Sequence, residues 1–131
     1  ALRKDPVVAY LPDLFTRPAP LRTDVIVDVT AQMQTVAKML ACHRSQVFEW
    51  LAYHEDILQT VPDDEGEKIA WVQSWAAGHI RLRAERHREE LVARCGDVRG
   101  REITFIEMFE ISEYARQPDA DLIRLLFPDA L

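Results

Sequence analysis

The stretch from Glu67 to Cys95 contains no proline and carries one apolar stripe: Ile69, Val72, Ala76, Ile80, Ala84, His87 and Leu91. This spacing matches 3.6 residues per turn, so the stretch is predicted to be one long helix. At 1.5 Å per residue it would run about 40 Å. A domain of 131 residues has a radius of gyration of roughly 14 Å, so such a helix would reach right across it. The rest of the chain must then pack along this rod. Val61-Pro62-Asp63-Asp64-Glu65-Gly66 reads as its turn and start, with acidic residues at the positive end of the helix dipole. Gly96 stands where a C-terminal glycine cap belongs. Gly78 is the weak point, costing about 1 kcal/mol relative to alanine.

The other elements are shorter. Val7-Val8-Ala9-Tyr10 is β-rich, and a loop with Pro12, Pro18 and Pro20 follows. Asp24-Val25-Ile26-Val27-Asp28-Val29 reads as a strand, and its continuous apolar centre suits cover on both faces, as in a parallel sheet. Thr30 is a candidate N-cap. Met33, Val36, Ala37 and Leu40 share one face of a helix of about 13 residues. Val47, Trp50, Leu51 and His54 repeat that spacing. Ile103 to Phe109 is β-prone, Glu110 to Gln117 reads as an irregular turn, and Asp119 or Asp121 opens a last helix that Pro128 ends.

Composition narrows the classes. Apolar residues make up 48% and charged residues 29%, enough apolar surface to offset chain entropy. A pI near 5.2 argues against a general nucleic-acid binder. No run approaches the length of a membrane span, and Ala1-Leu2-Arg3-Lys4-Asp5-Pro6 has no apolar core of a secretory signal. Cys42 and Cys95 are too few for a disulfide framework and are expected as reduced thiols of a cytoplasmic protein.

Candidate chemistry is sparse. His79 and His87 lie eight positions apart and His43 and His54 eleven, too far along a helix to share one zinc. No metal site is therefore expected within the chain. Arg81–Glu85, Arg86–Glu90 and Glu90–Arg94 have the spacing of helical ion pairs and read as a solvated face. Trp71 and Trp75 are four apart and read as core packing or an inter-element interface. Asp63-Asp64-Glu65 is explained by its place at a helix start. His43-Arg44-Ser45-Gln46 differs in kind: four polar residues interrupt two apolar periodic segments. Their hydrogen bonds must be satisfied somewhere, and local capping and a binding site remain equally open.

Val27-Asp28-Val29-Thr30, Lys38 and Cys42-His43-Arg44-Ser45-Gln46 together resemble the C-terminal part of the PIG-L, or LmbE-like, family. Arg83 to Leu91, Phe105 to Ile111 and Tyr114 to Pro118 extend the resemblance from about Val7 to Pro128. The resemblance implies a helix-rich α/β fold, the C-terminal part of a Rossmann-like sandwich, with two or three strands and three to four helices. It implies part of a zinc-dependent amidohydrolase that removes acetyl groups from N-acetylglucosamine-type substrates, with His43, Ser45 and Gln46 on the substrate side. The family's two histidine motifs for zinc are absent. Val61-Pro62-Asp63-Asp64-Glu65 imitates the first, but Val61 stands where the ligand histidine belongs. Residues 1–131 are thus expected to be a single domain or the C-terminal fragment of a deacetylase. Such a chain binds no zinc alone and pairs with a missing N-terminal half, a partner chain or a second copy. The alternative is a catalytically inactive helical interaction module.

Overall fold

The proline-free stretch folds as two helices, not one. In the computed structural model, which describes residues 4–12 and 15–131, α3 spans Glu65–Arg86 and α4 spans Arg88–Cys95. His87 joins them at φ −105°, ψ 20°. The single 40 Å rod is therefore corrected to a broken one. Ala84 and Leu91, on either side of the break and both fully buried, lie in one cluster with Ile26, Ile106 and Met108. The stripe from Val72 to Leu91 is otherwise the buried face, with Val72, Ala76, Ala84 and Leu91 inside. Asp64 caps α3, its Oδ1 accepting from the N–H groups of Gly66 (2.8 Å) and Glu67 (3.0 Å).

The chain is helix-rich with a small sheet. β1 (Ala9–Tyr10), β2 (Val25–Asp28) and β3 (Ile106–Ile111) form an antiparallel sheet in the order β1-β3-β2. The parallel setting expected for Val25-Ile26-Val27 is not what forms. β2 pairs antiparallel with β3, Val25 opposite Phe109 and Ile26 opposite Met108. Ile26 is buried against Ala84, Leu91 and Ile103, and its open edge is met by residues 130 and 131: Leu131 N–H donates to Ile26 O at 2.8 Å, and Val27 bridges Ala130. That segment covers an edge that would otherwise stand open. β3 also begins later than expected and includes Glu110 and Ile111, because those residues pair with Tyr10 and Ala9.

α1 (Met33–Ala41) packs along α3. It is entered through a 3₁₀ turn, Thr30–Gln32. Thr30 is not its side-chain cap; the hydroxyl accepts instead from Phe105 N–H at 3.3 Å. Gly96 ends α4 at φ +83°, a conformation glycine adopts without a Cβ penalty. α5 (Asp97–Glu102) follows at once and was not legible beforehand. It lies so close to α4 that a Cβ on Gly100 would stand 2.5 Å from Val92 Cα. α6 (Ala120–Leu126) is capped by Asp119, as expected. The remaining helical stretch, a π-helical segment Ser45–Leu51 running into a single α turn, α2 (Ala52–His54), is taken up below.

Two apolar clusters result. One joins the sheet to Ala84, Leu91 and Ile103. The other joins α1, the π-helical segment and α3 through Ala37, Val47, Phe48 and Val72. Among the described residues no helix is long and apolar enough to cross a membrane. The reading of the Ala1–Arg3 start falls outside the described residues, as do Asp13 and Leu14 of the proline-rich loop.

Candidate functional site

The polar motif sits where α1 hands over to the π-helical segment. α1 ends at Ala41, and His43 N–H donates to Leu40 O at 2.9 Å. Val47 N–H then donates to His43 O at 2.8 Å, and the wide turns of Ser45–Leu51 begin. The apolar spacing of Val47, Trp50, Leu51 and His54 had suggested one buried face. Val47, Phe48 and Ala52 bury instead, and Trp50 stands 55% exposed, its ring stacked on His54. A π turn holds more residues than an α turn, so the phase of the stripe shifts across it.

His43, Ser45 and Gln46 are all exposed. Neither end of the junction has a side-chain cap. Among the described residues, none of the three side chains takes part in a hydrogen bond within the chain. Arg44 is the exception in the motif. Its Nη1 donates to Glu65 Oε2 at 2.6 Å and its Nη2 to Glu65 Oε1 at 2.8 Å. Lys68 Nζ reaches the same carboxylate at 2.6 Å. Hydrogen bonds from Arg44 and then Lys68 pull the Glu65 carboxyl down to about 2. Arg44 and Lys68 both stand over the Phe48 ring, at 5.9 and 5.6 Å from its centroid. A cleft of about 280 Å³ opens here, lined by Arg44, Phe48, Glu49, Asp63 and Lys68 among others. It offers cationic donors and carboxylate acceptors to a polar ligand. Sequence reasoning placed Arg44 in the polar motif and Glu65 at a helix start but did not join them, and it passed over Lys68; the Glu65-x-x-Lys68 spacing was the available signal.

The other candidates have structural partners. Trp71 and Trp75 stack in parallel at 6.4 Å. Trp71 Nε1 donates to Thr60 Oγ1 and Trp75 Nε1 to Glu55 Oε2, at 3.0 and 2.9 Å. The pair thus ties α3 to the segment after α2. Arg81–Glu85 and Glu90–Arg94 form as expected, at 3.3 and 2.7 Å. Arg86–Glu90 does not, because the break at His87 separates them. Glu90 turns instead to Thr23 Oγ1, at 2.7 and 2.8 Å, and to His87 Nδ1 at 3.3 Å. Burial opposes ionisation of Glu90, but hydrogen bonds from Thr23, Arg94 and His87 outweigh it and hold the carboxyl below its ordinary value.

These residues do not fit a zinc ion. Asp64 is committed to the α3 cap and Glu65 to Arg44 and Lys68. His79 pairs with Glu55 and His87 with Glu90. Among the described residues no three metal-ligating side chains gather. Cys42 is exposed and Cys95 half-buried, each a free thiol. Set against protein-family models, curated proteins and solved structures, the chain matches none.

Proposed function

We propose that this chain is the substrate-side part of a zinc-dependent amidohydrolase that removes acetyl groups from N-acetylated amino sugars. The fold around it would be a Rossmann-like sandwich of the PIG-L type, and its zinc would be held by residues other than these. One observation supports this reading above the rest. His43, Ser45 and Gln46 stand exposed at the head of a π-helical segment, and their side chains serve neither cap nor fold. Local capping, the bland account of such a motif, is not what these side chains do. π-helical turns within helices recur at functional sites. In this reading the three residues hydrogen-bond the wall beside the substrate and bind no metal. The free thiols of Cys42 and Cys95 suit a reducing, cytoplasmic setting. Exposed Tyr10, Leu11 and Leu125 suit cover by the rest of a longer polypeptide, by a partner chain or by a second copy.

The test is deacetylation of an N-acetylglucosaminyl substrate by zinc-loaded protein that also carries the family's metal motifs. His43→Ala is expected to lower kcat/KM by about tenfold, the loss of roughly one hydrogen bond to substrate, with zinc content unchanged. Full activity in a stable His43→Ala protein refutes the assignment. A second reading, a catalytically inactive helical interaction module, is favoured by the exposure of Met39, Trp50 and Tyr53 on the helical side. Absence of any deacetylation decides for it.

A further inference from the structure

The five-residue motif contains one side chain anchored to another element. Cys42 reaches only the preceding turn, through Lys38 O. Arg44 alone crosses to α3, by a fork of two hydrogen bonds onto Glu65. That fork is fixed from two further sides. Lys68 donates to Glu65 Oε1, the oxygen that also accepts from Arg44 Nη2, and Phe48, 7% exposed and 6.0 Å from the Trp71 ring, forms the floor beneath both cations. Bidentate guanidinium–carboxylate pairs fix direction as well as distance. A π-helical segment also has a competing state close at hand. If one turn of Ser45–Leu51 relaxed to α, the residues on one side would rotate by about 100° relative to Val47 and Phe48. The clamp at Arg44 lies at the entrance of that segment and opposes such a rotation.

We propose that Arg44 is a positioning residue: its fork onto Glu65 holds the entrance of the π-helical segment, and thereby sets where His43, Ser45 and Gln46 stand. The role in substrate handling rests on the function proposed above; the clamp itself does not. Both partners are largely exposed, at 59% and 63% of their side chains, and exposed ion pairs contribute little to global stability. The clamp therefore acts on orientation far more than on unfolding.

The experiment compares Arg44→Ala, Arg44→Lys and Glu65→Gln in the 131-residue chain and in the zinc-loaded enzyme. In Arg44→Ala the melting temperature is expected to stay within about 2 °C, while amide exchange across Ser45–Leu51 speeds up by about twofold. Arg44→Lys recovers part of the protection, because an ammonium makes a point contact in place of a fork. Glu65→Gln, which leaves Arg44 without a carboxylate to fork onto, speeds exchange at least as much as Arg44→Ala. In the enzyme, Arg44→Ala and Glu65→Gln each raise KM with kcat and zinc content unchanged, and Arg44→Lys raises it less. Unchanged exchange in Arg44→Ala or in Glu65→Gln overturns the clamp. Faster exchange with unchanged KM in an active enzyme overturns the positioning role. If the unmutated enzyme has no deacetylase activity, the proposed function falls, and the exchange measurements still decide the clamp.

Discussion

The two apolar clusters are built on different principles. The sheet side is closed by segments far apart in sequence: Ile26, Leu91 and Ile106 are fully buried together, and Leu21 and Leu131 pack onto them from outside. Backbone pairing between β2 and β3 and the Leu131–Ile26 hydrogen bond lock that arrangement. The helix side is narrower. Ala37, Val47, Phe48 and Val72 are buried, but Trp71, Trp75 and Ile69 around them are only partly so, and its rim is ionic. The difference shows how labour is divided in this fold. Close packing gives the sheet side one arrangement. The helix side keeps its polar motif free and relies on oriented ion pairs to place it.

The sharpest way to break that contrast is Leu91→Ala. Truncating a fully buried leucine removes transfer energy and leaves a cavity, so about 2–5 kcal/mol of stability should be lost in urea unfolding. A loss below about 1 kcal/mol would show that the sheet side collapses around the gap and is no better packed than the helix side. Next in size is Asp64→Ala at the start of α3. It removes the acceptor for the Gly66 and Glu67 N–H groups and should cost about 1 kcal/mol. A loss as large as that of Leu91→Ala would mean that the helix side depends on its caps as much as the sheet side depends on its core.

The smallest effect concerns pH. The Glu65 carboxyl lies at about 2 in the folded protein, below its ordinary value of 4.5, through its bonds to Arg44 and Lys68. A lowered folded value means that its contribution is fully present above 4.5 and is lost as pH falls towards 2. NMR titration of the Glu65 carboxyl carbon should show a midpoint near 2. Arg44→Ala should move that midpoint up towards the ordinary range. A midpoint already near 4.5 in the unmutated protein would remove the ionic rim from the comparison.

Much of the fold was legible because local chemistry decided it. Asp64 and Asp119 cap helices, and Gly96 closes α4, since caps depend on one residue and its nearest backbone groups. Asp24 to Val29 was readable as a strand from its apolar run. Its antiparallel pairing was not, because burial on both faces looks the same whichever direction the neighbouring strand runs. The break at His87 carries neither glycine nor proline. The trace it did leave is electrostatic: Arg83 and Arg86 suit a helix end, and Glu89 and Glu90 suit a helix start. The candidate site was legible as a motif only. His43, Ser45 and Gln46 were singled out as residues that interrupt a pattern, but their exposure and the Arg44 fork needed α3 beside them.

The sequence by itself determined the helix ends at Asp64, Gly96 and Asp119, the apolar stripe from Ile69 to Leu91 and the polar interruption at His43–Gln46, since each depends on neighbours within a turn or two. Tertiary structure alone decided the break at His87, the π-helical phase of Ser45–Leu51 and the partner of β2. Each of those is a choice between local conformations close in energy, and contacts with distant chain segments settle such choices: Leu91 against the sheet, Phe48 against Trp71, Leu131 against Ile26.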